Sequence, residues 1–409
     1  MYPDLSYILH AIIGTPPDNI FSIVKTFGLF LVFAILTGAF ILAKELKRKE
    51  DEGLLKAVKI KVIEGKPASA MDLALNGLFG FVLGFKFFYI ISHKDDFIYD
   101  PASLVFSTEG NWTWGIILAL VFAGIKFWEK NKKKLPKPVE KTITVHPYER
   151  MGDITVLAAV SGIFGAKVFA LGEDVSKLFG DGEDKLTLND LMDQFFSGSG
   201  LAIYGGLIVA FFAVSYYVKK KGIAPIHVMD AAAPAMLIAY GIGRLGCHFS
   251  GDGDWGIVNI AANPGFLPDW LWAFDYPHNV IDSRQSDPVT GLLNTAQIAQ
   301  IPDCTYRFCT KLANPVWPTS VYEFFMMMVL GGTLWLVRKR VKIAGMLFFM
   351  YLIMNGFERF WIEKIRVNPK NPILGIQTTQ AEFIAVLFML IGIIGCIVLW
   401  RKSKKLSAS

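Results

Sequence analysis

Apolar residues in this chain gather into long unbroken runs, not into the strict alternations of a half-buried strand. A helix that crosses a membrane needs about 20 mostly apolar residues, and such runs lie at 27–43, 72–91, 111–128, 200–218, 318–337, 343–363 and 382–400. Two weaker runs, 151–171 and 228–247, complete an expected set of about nine spans. The second of these leads directly into "AYGIGRLGCHFSGDGDWG", Ala239 to Gly256, where an arginine, a cysteine, a histidine and two aspartates stand among glycines.

Composition supports the same reading. The 409 residues are 53% hydrophobic and 19% charged, with a mean hydropathy of +0.43, which points to an all-α polytopic membrane protein. Lysine and arginine near helix ends tend to stay cytoplasmic. "KELKRK", "KNKKKLPK", "KKK", "RKRVK" and "RKSKK" follow alternate runs, while "HKDDFIYD", "GEDVSKLFGDGEDK" and "DSRQSD" occupy the opposite ends. The pattern predicts a periplasmic N-terminus, a cytoplasmic C-terminus and a long periplasmic loop at 257–317. The formal charge of +6 then reflects topology, and no nucleic-acid partner is expected. Met1–Asn19 lacks the basic start and apolar core of a cleavable signal peptide. Cys304 and Cys309 lie in the long loop, where a disulfide could persist; a metal site at this pair has no histidine at ligand spacing.

The chain also repeats itself. "GFKFFYIISHKDDF" leading to "GNWTWGIILALVF" (84–122) is echoed by "GAKVFALGEDVSKLFG" leading to "GSGLAIYGGLIVAFF" (165–212). Lys86 matches Lys167 and Trp114 matches Tyr204. This divides the chain into 1–71, the first span and a basic loop; 72–150, an additional helix pair; and 151–409, the core with its long loop.

Ionisable groups inside a bilayer are costly and tend to mark function. Arg244 lies near the outer end of the sixth span. In "NGFERFWIEKIR", Arg359 and Glu363 share a helix face, with Arg366 three residues further on. "PTSVYEF" offers Tyr322 and Glu323 at the outer mouth of the seventh span. The topology places all of them in the outward half, where two arginines suit a lipid phosphate, because guanidinium holds phosphate bidentately and stays charged. Gly241, Gly243, Gly246, Gly251, Gly253 and Gly256 would let the backbone break its helix for a bulky headgroup. Plainer roles remain open: a structural pair for Arg359 and Glu363, a headgroup anchor for Arg244, a solvated imidazole for His248, packing for Cys247. Asp230, in "HVMDAAAP", reads as a helix N-cap at the start of its own span.

"SGSGLAIYGGL", "GRLGCHFSGDGDWG", "PTSVYE" and "GFERFWIEKIR", in that order, resemble the prolipoprotein diacylglyceryl transferase family, over the first span and roughly 151–400. The resemblance implies a multi-pass enzyme of the bacterial inner membrane that needs no cofactor or metal. It would move diacylglycerol from phosphatidylglycerol to the lipobox cysteine of a preprolipoprotein. Its partners would be phosphatidylglycerol, preprolipoprotein signal peptides and membrane lipids. Carried over by motif, Arg244, Arg359 and Glu363 are catalytic and Gly256 closes the substrate-binding motif. Asp252 and Asp254 both stand near the family's glutamate, and Tyr322 and Glu323 match its Tyr-Glu pair. This chain departs at Cys247 (usually asparagine), Tyr204 (usually histidine), Phe27 and Asn355 (usually tyrosines). His248 is a candidate for the missing imidazole. A silent lipid- or lipoprotein-binding relative and a transporter or flippase are the alternatives.

Overall fold

A computed structural model describes residues 1–99, 104–105, 107–178, 202–281, 298–368, 371–373 and 375–408. Among these lie long helices α1 (Thr26–Asp51), α2 (Ala70–Ser92), α3 (Trp112–Lys132), α4 (Met151–Leu178), α5 (Ile203–Lys220), α6 (Pro225–Ser250), α7 (Thr319–Val337), α8 (Met346–Glu363) and α9 (Gln380–Ala408). Seven described helices are long and apolar enough to cross a membrane; α5 and α8 are not among them. In α8 the reason is visible, since Glu358, Arg359 and Glu363 interrupt its apolar run. Residues 197–201 of the "SGSGL" motif, the acidic stretch 179–185 and "DSRQSD" at 282–287 lie outside the described residues.

The chain divides into two compact units, Lys56–Ile223 and the remainder, Met1–Leu55 with Ala224–Ser409. In the first of these, α2 packs on α3 and α4 packs on α5. Both hairpins close through glycines at matching places: a Cβ on Gly84 would strike the Trp114 carbonyl, and one on Gly165 would lie 2.6 Å from that of Gly205. Lys86 closes the first hairpin's loop, its Nζ donating to the Leu104 and Glu109 carbonyls at 3.0 and 2.8 Å. An antiparallel ribbon, Val58–Glu64 with Val139–Val145, brackets the α2–α3 hairpin. The sequence reading anticipated helices alone. The ribbon follows from β-branched alternation in "VKIKVIE" and "VEKTITV", with Lys61–Glu140 and Lys141–Glu64 pairs across it. Two more short ribbons pair Ile298–Gln300 with Thr310–Leu312 and Asn371–Ile373 with Ile376–Thr378.

In the other unit α6 packs against α1, α7 and α8, and α8 packs on α9. Accordingly 44% of the apolar window of α6 is buried, against 33% or less for the other six membrane-length helices. The helix does not break at its glycines, as the sequence had suggested; it runs intact to Ser250. Gly241 and Gly246 instead serve close packing, since a Cβ would come within 2.8 Å of Met328 and 2.9 Å of Phe30 respectively. The chain turns only at Gly251, whose φ of 65° ends the helix in the left-handed region.

Asp230 also acts differently from expectation. Ala224 occupies the N-cap of α6, while the Asp230 carboxylate accepts from Gly345 N at 2.8 Å and Phe348 N at 3.1 Å, capping the start of α8. It pairs as well with Lys49 of α1 at 3.5 Å. One buried carboxylate thus ties three helices at the same end of the bundle.

At the other end, the N-terminal segment and the described part of loop 257–317 form a cap. Tyr2 N donates to Phe249 O at 2.7 Å, Arg307 N to Asp18 at 2.8 Å, and the Tyr7 ring packs on His278, Tyr306 and Phe308. Cys304 and Cys309 form a disulfide within this cap. Trp255, Tyr276, Leu312 and Val316 give it a small core.

Removing the Asp230 carboxylate would leave Lys49, with only 5% of its side chain exposed, as an uncompensated buried charge. Asp230→Ala is expected to cost about 3–5 kcal/mol, read as a lower unfolding midpoint of the detergent-solubilised protein; an unchanged midpoint would contradict the three-helix tie.

Candidate functional site

Helical spacing brings the first residues of the site together. Tyr240 and Arg244 lie one turn apart on α6, and Glu323 lies in the first turns of α7, the helix packed against it. Arg244 is 8% exposed and Glu323 fully buried, so each requires a partner of opposite charge. Arg244 Nη2 donates to Glu323 Oε1 at 2.9 Å, and its Nε lies 2.5 Å from Oε2, an ion contact without hydrogen-bond alignment. Tyr240 Oη donates to Glu323 Oε2 at 2.6 Å.

Two further members come from segments outside the helices. Asp254, in the turn after α6, accepts from Arg244 on one carboxylate oxygen and from Arg366 on the other. Arg366, just past α8, also donates to Glu323 Oε1 at 3.1 Å. The result is a closed ring in which Arg244 and Arg366 each hold both Glu323 and Asp254. Burial and the neighbouring Arg244 lower Arg366 to about 10, still well above neutrality, so it remains a cation.

A backbone clamp sets this register. Gly256 N donates to Trp317 O at 2.9 Å, Ile257 N to Ile365 O at 2.8 Å, and Gly256 bridges to Arg366. A Cβ at Gly256 would lie 2.6 Å from the Ile365 carbonyl, so only glycine allows the two strands this close. Ser320 Oγ donates to the Asp254 carbonyl at 2.5 Å and fixes the turn from the other side.

Arg359 pairs with Glu363 at 3.1 Å across one turn of α8. Glu363 also accepts from Asn368 Nδ2 at 2.5 Å and lies 4.0 Å from Arg366, which links this pair to the ring. Asp252 accepts from Asp254 N at 3.2 Å. Burial pushes its carboxyl above the usual range, against the opposing pull of Cys247 and Arg244. Arg244 Nη1 approaches Cys247 Sγ at 3.5 Å.

His248 and Tyr322, also singled out in the sequence, sit apart from the ring. His248, buried among the rings of Phe249, Phe274 and Tyr276, shares a hydrogen bond with Tyr276 Oη at 3.2 Å. Tyr322 Oη donates to the Leu271 carbonyl at 2.5 Å, toward the cap. Tyr204 belongs to the other unit, in the first turn of α5.

Sequence reasoning gave no role to Tyr240, Ser320, Asn368 or Glu358, and noted Arg366 only by its spacing. Tyr240, one turn before Arg244, carried a usable signal. The role of Asn368 had none, because it depends on the turn after α8. Glu358 is fully buried beside Glu323, Arg359, Arg244 and Glu363, and among the described residues neither of its carboxylate oxygens has a hydrogen-bond partner. Among the described residues no three metal-ligating side chains converge.

Comparison with known proteins adds identity to this geometry. The family model for prolipoprotein diacylglyceryl transferase matches residues 114–398. A phosphatidylglycerol–prolipoprotein diacylglyceryl transferase of Corynebacterium glutamicum is 27% identical over 226 residues, 55% of this chain and 62% of the relative. The protein so named in Cutibacterium acnes is 26% identical over 259 residues, 63% of this chain and 69% of its own. That of Leptospira interrogans is 28% identical over 229 residues, 53% of this chain and 61% of its own. The chain therefore spans about three fifths to two thirds of the length of these relatives.

Unequal costs are expected for two buried glutamates. Glu323→Gln leaves two guanidiniums sharing one carboxylate and should destabilise by about 3–5 kcal/mol, whereas Glu358→Gln removes no hydrogen bond and should shift the unfolding midpoint far less. Equal shifts would mean that the ring does not hold the helices. Gly256→Ala should also lower the midpoint, by about 1–3 kcal/mol for a forced backbone shift; an unaltered midpoint would argue against the clamp.

Proposed function

The chain belongs to the prolipoprotein diacylglyceryl transferase family, and on that premise we propose that it transfers the diacylglyceryl group of phosphatidylglycerol to the lipobox cysteine of preprolipoproteins. The substrate's sulfur bonds to the glyceryl carbon that carries the phosphate ester. The bond from that carbon to the ester oxygen breaks, glycerol phosphate leaves, and the thiol proton passes to a basic group of the site. The nucleophile arrives with the substrate, so this chain needs none of its own.

The observation that carries this reading is the convergence of Arg244 and Arg366 on Asp254. Its carboxylate is the more exposed in the ring, at 21% against 0% for Glu323. A carboxylate bridging two guanidiniums occupies the place a phosphate would take, its oxygens standing in for phosphate oxygens. The lipid phosphate displaces Asp254, while Glu323 and Tyr240 keep the arginines aimed. Cations already positioned then stabilise the charge that develops on the leaving phosphate. Arg359, oriented by Glu363, adds a third positive group beside the ring. Asp252 is the proton acceptor in this scheme, since a carboxyl raised by burial is a stronger base than an ordinary aspartate. Tyr204 stands at the family's histidine position and would act as a hydrogen-bonding group.

The protein works as a multi-pass protein of the bacterial inner membrane with about nine spans, its N-terminus and its site on the periplasmic side. Support comes from the Cys304–Cys309 disulfide in the cap, which suits an oxidising compartment. Lysines and arginines at the C-terminal ends of α1, α3 and α5 agree with it.

Transfer of labelled diacylglycerol from phosphatidylglycerol to a lipobox peptide is expected from the purified protein. It should fall by about 100- to 1000-fold in Arg244→Ala and in Arg366→Ala, the scale of losing one preorganised charge donor. Absence of transfer with several phospholipid donors, from protein that still binds them, would identify a lipid-binding relative without activity.

A further inference from the structure

At the end of α6 opposite Arg244, a cavity of about 400 Å³ opens between the C-terminal turns of α1, the first turns of α6 and the α7–α8 turn. Asp230 in its wall and Arg244 in the ring are 14 residues apart on one helix, about 21 Å at 1.5 Å per residue. The two places are therefore separate. The volume falls in the range of small-ligand sites.

Its lining has an excess of positive charge. Arg48, Lys49, Arg338, Lys339 and Lys342 face Glu52 and Asp230. Asp230 is already occupied by Lys49 and the amides that start α8. Behind the wall, the buried Glu45 pairs with Arg48 at 2.9 Å and Arg338 at 2.5 Å, which holds those two guanidiniums in place. Lys339 and Lys342 are exposed, and among the described residues neither pairs with a carboxylate. His227 also lines the cavity, and its buried Nδ1 has no hydrogen-bond partner among the described residues. A general preference for basic residues at cytoplasmic helix ends explains how many cations are present. It does not explain their convergence on a concave wall with ordered guanidiniums.

We propose that this cavity is a second anion site, which takes a phosphate group on the side of the protein away from the Arg244 ring. The phosphate comes from the headgroup of an anionic lipid in the adjacent leaflet or from a soluble phosphate, and both present the same chemistry to the lysines and His227. The inference does not depend on the transfer activity, because none of its residues belongs to the ring.

The test uses the full chain in phosphatidylcholine nanodiscs, with phosphatidic acid or inorganic phosphate added. Native mass spectrometry counts retained lipid, and the unfolding midpoint reports binding of either probe. Lys339→Gln with Lys342→Gln removes exposed side chains and leaves the buried pairs intact. This double variant should retain one phosphatidic acid molecule fewer than the wild type and bind it roughly thirty-fold more weakly, the effect of two basic residues at a membrane surface. Arg244→Ala should still fill the cavity. Stabilisation by inorganic phosphate that the double variant loses would identify a soluble ligand; stabilisation by phosphatidic acid alone would identify a lipid. Equal lipid counts and midpoints in wild type and double variant, with either probe, would overturn the proposal.

Discussion

Two arginines and two carboxylates in a closed ring, Arg244–Glu323–Arg366–Asp254, set the arrangement of the end of the bundle beneath the cap. A guanidinium taken out of water without a partner costs several kcal/mol, so the chain has to bring α6, α7 and the segment after α8 to one point. Three of the four members are also held from outside the ring. Tyr240 holds Glu323 from α6, Ser320 holds the Asp254 turn from α7, and Glu363 reaches Arg366 from the end of α8. Because two arginines balance two carboxylates, the ring is formally neutral and can sit within an apolar bundle.

The backbone around the ring explains why the glycines are where they are. Gly241 and Gly246 inside α6 admit neighbouring helices, and those after it turn and clamp the chain. Gly256 is the point at which three segments, the turn after α6, the entry to α7 and the exit from α8, come within backbone hydrogen-bonding distance. The cap built from the N-terminal segment and the long loop rests on the same turn, through Trp255 and Tyr276. His248 is absorbed into that aromatic core. An imidazole enclosed by rings and bonded to a tyrosine hydroxyl serves packing first.

A single helix carries charge at both ends, with different consequences. At one end Arg244 is balanced by its ring. At the other, Asp230 joins α1, α6 and α8, and an excess of cations lines a concave surface. Burial of the middle of α6 against three neighbours keeps the two clusters about 21 Å apart, and each faces its own side of the bundle.

By itself the sequence determined the apolar runs, and hence the helices, because length and hydropathy are local properties. It also marked Arg244, Glu323, Arg359 and Glu363 as charges in or beside apolar runs, where each is costly without a partner. Two helical hairpins, α2–α3 and α4–α5, follow from the same runs. What only the tertiary structure decided was which charge meets which. Asp254 over Asp252, Arg366 over Arg359, and Asp230 as a cap for a helix over 100 residues away all depend on backbone crossings between distant segments. The clamp at Gly256 depends on such crossings too, whereas the Cys304–Cys309 disulfide is local, five residues apart in one loop. Spacing along one helix can be read from one segment; a closed ring of charges needs several elements packed at once.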